Sequence, residues 1–348
     1  MKNKKIFKLN FIYFSALILV AVIFVLGNFG IIENEWLSSF LIQIVVMAAI
    51  PLLMYKLLFK KSLKTTLKDV GFKKISSKSI FIIIVLGFAL YFLNSYIATF
   101  FSSIISLLGY ERLILAPSTT TFSYGLFLQE FLLTAILPGI CEEILHRGIM
   151  LNCAKKLYNA RYCLLISSIL FGITHLNINQ FFYAAILGYF MGYLNLACDS
   201  IYPSIIVHFM NNFLSTYFTF GKALNWPFAN FVYNIEAIIT SNIFLFISFS
   251  TLAVISILAL YLYLTKLLLK EKAKKEIYTV VNSLKLNQLS LIEAQIKINE
   301  ANKILKHKSA VLSKQKFQKP SLLDNLFLIA AFVLGISVTI FSFIWGIL

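Results

Sequence analysis

The chain has 348 residues, of which 59% are hydrophobic and 13% charged, with 34 Phe. A soluble domain carries about 25% charged and 45–50% apolar residues, so a water-soluble globular fold is excluded. The formal net charge of +17 would suit nucleic acid, but the lysines gather at the edges of apolar runs, where positive charge marks the cytoplasmic side of a membrane. No basic segment is interleaved with aromatics on a soluble domain, and nucleic acid is set aside as a partner.

Repeated apolar runs of about 20 residues predict an all-α, polytopic transmembrane helix bundle. About nine spans are expected, near 9–30, 37–59, 79–108, 122–152, 162–176, 179–198, 201–220, 232–265 and 322–347. The opening MKNKKIFKLN resembles the start of a signal peptide. It leads, however, into a long run without a small-residue cleavage site, which reads as an uncleaved first span. Lys2, Lys4, Lys5 and Lys8 place the N-terminus in the cytoplasm, and Glu33 and Glu35 fall outside. Segment 56–78 carries eight lysines and one aspartate and lies inside again. Within it, SLKTTLKDVGFKK (62–74) reads as a short interfacial helix. Residues 1–121 thus form an N-terminal membrane unit with a basic cytoplasmic loop.

Residues 122–220 hold nearly all the chemistry. Three of the four histidines, His146, His175 and His208, fall in apolar segments, with Glu142, Glu143, Arg147, Asn211 and Asn212 near them. An ionisable side chain at the bilayer centre costs roughly 2.5–3.5 kcal/mol on insertion scales, so such residues are functional candidates. Glu142 stands 13 residues before Lys155, roughly 20 Å from the cytoplasmic charges at helical rise. His175 stands 14 residues past Arg161, roughly 21 Å, and His208 stands 9 past Asp199, roughly 13 Å. In a hydrocarbon core about 30 Å thick the three can meet. Glu143 and Arg147 are spaced i,i+4 for an ion pair, which leaves Glu142 free on an adjacent face. His208 and Asn212 share a face by the same spacing. Gly188 and Gly192 form a GxxxG pair that allows close helix approach. In DSIYP, Asp199 or Ser200 is expected to cap a helix with Pro203 in its first turn.

EEILHR (142–147) fits an EExxxR motif, FGITH (171–175) an FxxxH motif and HFMNN (208–212) an HxxxN motif. Together they resemble the CAAX-protease and bacteriocin-processing (CPBP, or Abi) family of intramembrane proteases, over about residues 122–220. The resemblance implies a helical core with a conical cavity open toward the cytoplasm. It also implies endopeptidase action on a membrane-associated peptide or protein. Carried over by position, Glu142 and His175 would activate water, and His208 and Asn212 would stabilise the oxyanion. A desolvated carboxylate beside an imidazole suits a general base. No cofactor is favoured. Zinc is the alternative, held by Glu142, His175 and His208 with water in the fourth position, although the HExxH signature is absent. His146 stands where an aromatic or aliphatic residue is more usual in the family. It is read first as a packing substitution, and otherwise as a hydrogen-bond partner of Glu142 four residues away or as a group facing the headgroups.

Residues 221–265 read as one additional span. Segment 266–320 is basic, with thirteen Lys against four Glu and no Gly or Pro before Pro320. Ile277, Leu284, Leu291, Ile298 and Leu305 repeat every seven residues, with Val280, Asn287, Ala294 and Ala301 at d-like positions. This predicts a coiled-coil seam open to self-association or a partner, a helical hairpin, or an interfacial helix on anionic lipid. His307 reads as a surface residue. Residues 321–348 form the last span, ending outside. Cys141, Cys153, Cys163 and Cys198 have no paired spacing and read as buried thiols.

Two other classes compete with a protease. A transporter would show internal repeats with matching interrupted spans, and none is present. A catalytically silent protease-like scaffold or immunity protein keeps the fold but not the residues. The Lys, Ile, Asn and Phe bias points to an AT-rich bacterial genome and a cell-membrane location. A leader peptide or the membrane-proximal end of another protein is then the expected substrate, rather than a prenylated tail.

Overall fold

A computed structural model describes residues 2–110, 122–285, 290–306 and 321–345, and its regular elements are all helical. In chain order, α1 is Lys2–Asn28, α2 runs over 35–58, α3 is Leu63–Val70 and α4 is Ser77–Leu107. Helix α5 runs over 124–156, α6 is Ala160–Thr174, α7 is Ile178–Cys198, α8 is Tyr202–Ala223 and α9 is Pro227–Thr240. Helices α10 (Ile243–Lys285), α11 (Leu291–Lys306) and α12 (Leu326–Trp345) complete the order.

Seven of these helices are long and apolar enough to cross a membrane, namely α1, α2, α4, α5, α7, α10 and α12. Helix α6 is shorter, and the more polar α8 falls outside this set. Their outward faces carry Phe24, Phe81, Phe100, Ile255 and Phe341, side chains that lipid solvates. The protein is an integral membrane protein. The single span expected over 232–265 is divided, because Ser241 and Asn242 end α9 and start α10. Asn242 Oδ1 accepts from the backbone of Phe244 and Leu245 and so caps the new helix.

Lysines and three acidic groups tie the helix ends into one face. Asp69 on α3 receives Lys61 and, at 2.5 Å, Lys156. Asp199, between α7 and α8, receives Lys73 at 2.5 Å and Lys155 at 3.0 Å. Lys78 meets Glu271 at 2.9 Å, and Lys8 donates to the Leu58 carbonyl at 2.8 Å. Of the two caps expected in DSIYP, Asp199 instead ends α7 in the left-handed region (φ 49°). Ser200 Oγ accepts from Tyr202 N at 3.3 Å at the start of α8, with Pro203 in its first turn. The same Oγ donates to the Lys73 carbonyl.

Two apolar clusters hold the bundle. One joins α1, α2, α5, α6 and α12 through Tyr13, Leu17, Met47, Ile149, Leu170 and Ala331. The other joins α4, α6, α7, α8 and α10 through Leu86, Phe171, Leu187, Met191, Val207 and Tyr261. The polar groups of the 122–220 segment lie where these clusters adjoin.

Helix α10 has 43 residues, roughly 65 Å at helical rise, so it continues past the lysine face. Helix α11 packs back along it as a hairpin. Of the d-like positions Val280, Ala294 and Ala301 are buried and Asn287 lies outside the described residues, while Leu291 is 80% exposed. Small alanines bring the two helices close, and Leu291 begins the returning helix. That seam is covered by the chain itself. His307 lies outside the described residues. Cys141, Cys153 and Cys163 are buried free thiols, and Cys198 is half-buried.

Candidate active site

Helix α5 changes its winding around the glutamate pair. Phe131–Ile136 and Ile144–Cys153 are π-helical, and the α-helical turn Leu137–Glu143 lies between them. Such widened turns recur at functional sites. Pro138 opens that turn and offers no N–H to the Thr134 carbonyl four residues back. Asn212 Nδ2 donates to that carbonyl at 2.8 Å. One N–H of the Asn212 amide is thereby fixed and the other remains available.

Glu143 and Arg147 are both fully buried, with Oε1 and Nη1 at 2.8 Å. The same Oε1 faces His208 Nδ1 at 2.9 Å. A carboxylate oxygen only accepts, so Nδ1 carries a proton and the ring's other nitrogen, Nε2, is left for the cavity. The Arg147 guanidinium lies 4.2 Å over the Phe171 ring, a cation–π contact. A Cβ on Gly188 would stand 2.8 Å from Arg147 Nη2, so the glycine makes room for the buried cation.

Glu142 points elsewhere. Its Oε1 accepts from Gln43 Nε2 at 2.8 Å, and the carboxylate lines a cavity with His175, His208 and Asn212. His175 sits at the tip of a reversal within the membrane-spanning depth. Helix α6 ends at Thr174, Leu176 takes φ 51°, and the Asn177 side chain caps α7 by accepting from Asn179 N. Ser342 of α12 accepts from Ile178 N at 3.1 Å, which supplies a backbone partner that lipid cannot. Among the described residues the His175 imidazole makes no hydrogen bond to protein.

His146 is fully buried, so it does not face headgroups. Its Nδ1 lies 2.8 Å from the Glu142 carbonyl and its Nε2 2.9 Å from Thr174 Oγ1. The carbonyl only accepts, so Nδ1 donates to it, while Nε2 faces the Thr174 hydroxyl. The ring holds the backbone of Glu142 and does not touch its carboxylate. Tyr13 reaches the same Thr174 hydroxyl at 2.8 Å. Gln43, Thr174 and Tyr13 escaped sequence reasoning. The only available signal was an isolated polar residue in an apolar run, as in LIQIVV.

The cavity measures about 650 Å³. On α5 its lining starts at Glu142 and proceeds to Pro138 and Thr134, away from Lys155. On α8 it starts at His208 and proceeds to Ser215 and Thr216, away from Asp199. It therefore lies in the half of the bundle opposite the lysine face. Lysines on the cytoplasmic side and a cavity open to the cytoplasm, both expected from the sequence, do not hold together.

Residues 124–214 match the family model described as Type II CAAX prenyl endopeptidase Rce1-like. This match is consistent with the resemblance to the CPBP (CAAX protease) family seen in the sequence motifs. No curated protein and no solved structure matches the chain. The match supports an intramembrane CAAX-type endopeptidase in general. All six motif residues of the CPBP core, Glu142, Glu143, Arg147, His175, His208 and Asn212, lie in or directly behind the cavity wall. As donors, Glu142, His175 and His208 suit zinc chemically. Their placement does not: among the described residues no three His, Cys, Asp or Glu side chains converge closely enough to hold a metal ion.

Proposed function

We propose that the protein is a metal-free intramembrane endopeptidase that hydrolyses a peptide bond of a membrane-associated peptide or protein. The observation that carries this reading is the shared cavity of Glu142, His175, His208 and Asn212, with Glu142 held by Gln43. Water between Glu142 and His175 gives its proton to the Glu142 carboxylate as its oxygen attacks the scissile carbonyl. The oxyanion receives a hydrogen bond from the free N–H of Asn212, and one from His208 Nε2 when that ring carries a proton on both nitrogens. Each such donor contributes roughly 3–4 kcal/mol at most. Collapse of the tetrahedral intermediate expels the amine, which takes the proton from Glu142.

The test incubates purified wild-type and Glu142→Gln protein in detergent with a membrane-peptide library, with and without a chelator, and reads products by mass spectrometry. Cleavage present in wild type, absent in Glu142→Gln and insensitive to chelation is expected. Loss on chelation with recovery on adding zinc would replace the metal-free mechanism. Equal background from both proteins would overturn the enzyme reading in favour of a silent scaffold.

A further inference from the structure

The cavity's position relative to the lysines says from which side a substrate arrives. On α2 the lining includes Gln43 and then Ser39, toward the helix start. On α4 it runs from Tyr91 to Ala98, and on α7 from Leu187 back to Gln180. With α5 and α8, five helices running in both directions all contribute from the half remote from Lys56, Lys78, Lys155 and Asp199. On the lysine side of Glu142 the bundle is closed by buried groups, among them Glu143, His146, Arg147 and Asn195.

The two faces differ sharply in charge. One gathers Lys8, Lys61, Lys73, Lys78, Lys155 and Lys156 around Asp69, Asp199 and Glu271. Among the described residues the other offers Glu33, Glu130 and Glu236 against Lys222. Basic short loops remain in the cytoplasm, so the cavity mouth lies on the opposite face. Its lining is rich in neutral hydrogen-bonding groups, including Ser39, Asn94, Ser95, Gln180 and Asn211, and among the described residues its only carboxylate is Glu142. The amides and hydroxyls suit an extended peptide backbone, and Leu133, Phe171, Ala184 and Leu187 between them suit apolar side chains of the same segment.

We infer that the site works on the non-cytoplasmic side of the membrane. Its substrate is an exported polypeptide, cut in an uncharged segment next to its membrane anchor and not in a lipid-modified cytoplasmic tail. The choice of substrate rests on the endopeptidase reading above, while the direction of the opening does not.

Two measurements separate them. Ser39→Cys at the mouth, Glu33→Cys on the same face and Lys64→Cys on the lysine face are treated in intact cells with a membrane-impermeant maleimide. Wild type reports background, its own thiols being buried or half-buried. Labelling of the first two in intact cells, and of Lys64→Cys only after lysis, is expected, and the reverse pattern overturns the inference. Single-span substrates then carry one cleavable segment on either side of the membrane, with wild-type or Glu142→Gln enzyme. Glu142-dependent cutting of the external segment alone is expected. Cutting of the cytoplasmic segment alone overturns the inference and leaves the protease standing. With neither segment cut, the labelling still decides the opening and the protease reading falls.

Discussion

At the scale of single residues, the adjacent glutamates do different work because their partners differ. Glu143 is neutralised by a buried arginine and shared with His208, whereas Glu142 meets a neutral amide and the cavity. Removing one partner of a buried ion pair leaves an unpaired charge and costs about 3–5 kcal/mol. Glu143→Gln should therefore lower the unfolding temperature in detergent markedly. Adding Arg147→Met to it should recover much of the loss, as a double-mutant cycle would read. Gln43 is a positioning residue, since its contact is to Glu142 Oε1. Gln43→Leu keeps the size and removes the donor. It should lower kcat by roughly 10–100-fold, as loss of orientation does, with KM and thermal stability little changed. A parallel rise in KM or a fall in stability would assign Gln43 to packing instead.

At the scale of elements, the EExxxR, FxxxH and HxxxN spacings were readable because helical periodicity places i and i+4 residues together. The i,i+4 ion pair follows from that rule alone. The Gln43 contact did not, because it joins residues 99 positions apart and periodicity is silent on which helices are neighbours. Nor was the π-helical winding of α5 legible, since no residue pattern distinguishes i→i+5 from i→i+4 bonding within an apolar run. The break at Ser241 and Asn242 was hidden by the apolar residues on both sides. Gly188 shows how a readable motif acquires its meaning only in three dimensions. GxxxG announced a close approach, and the group approaching is the guanidinium of Arg147. Gly188→Ala puts a carbon where Nη2 needs space, and overpacking of this kind costs typically about 1–3 kcal/mol. Reduced thermal stability with a further loss of activity is expected. Unchanged stability would mean that Arg147 moves freely, contrary to its position against Phe171.

At the scale of the whole molecule, the fold is organised between a knotted face and a hollow one. Charge distribution along the chain made the lysine face legible. It could not reveal that the amides and hydroxyls of five helices all fall in the other half, because that needs each helix's rotation and neighbours. The knot has a measurable acid limit. Burial alone would raise the Asp199 carboxyl, but Lys155 and Lys73 outweigh it and hold the group at about 2, below its ordinary value of 3.8. Burial likewise opposes Lys156 and Lys61 at Asp69, which is also lowered. A carboxylate depressed in the folded state stabilises above its unfolded pKa, and that contribution is lost as pH falls through the folded one. The thermal-stability difference between wild type and Asp199→Asn should accordingly be constant well above pH 3.8, shrink below it, and vanish as pH falls through about 2. The Asp199 side chain is 41% exposed, so added salt should reduce the difference at neutral pH through screening. A difference that stays level down to pH 2 would show that the Asp199 side chain acts independently of its charge, and that the lysines contribute topology without strengthening the bundle.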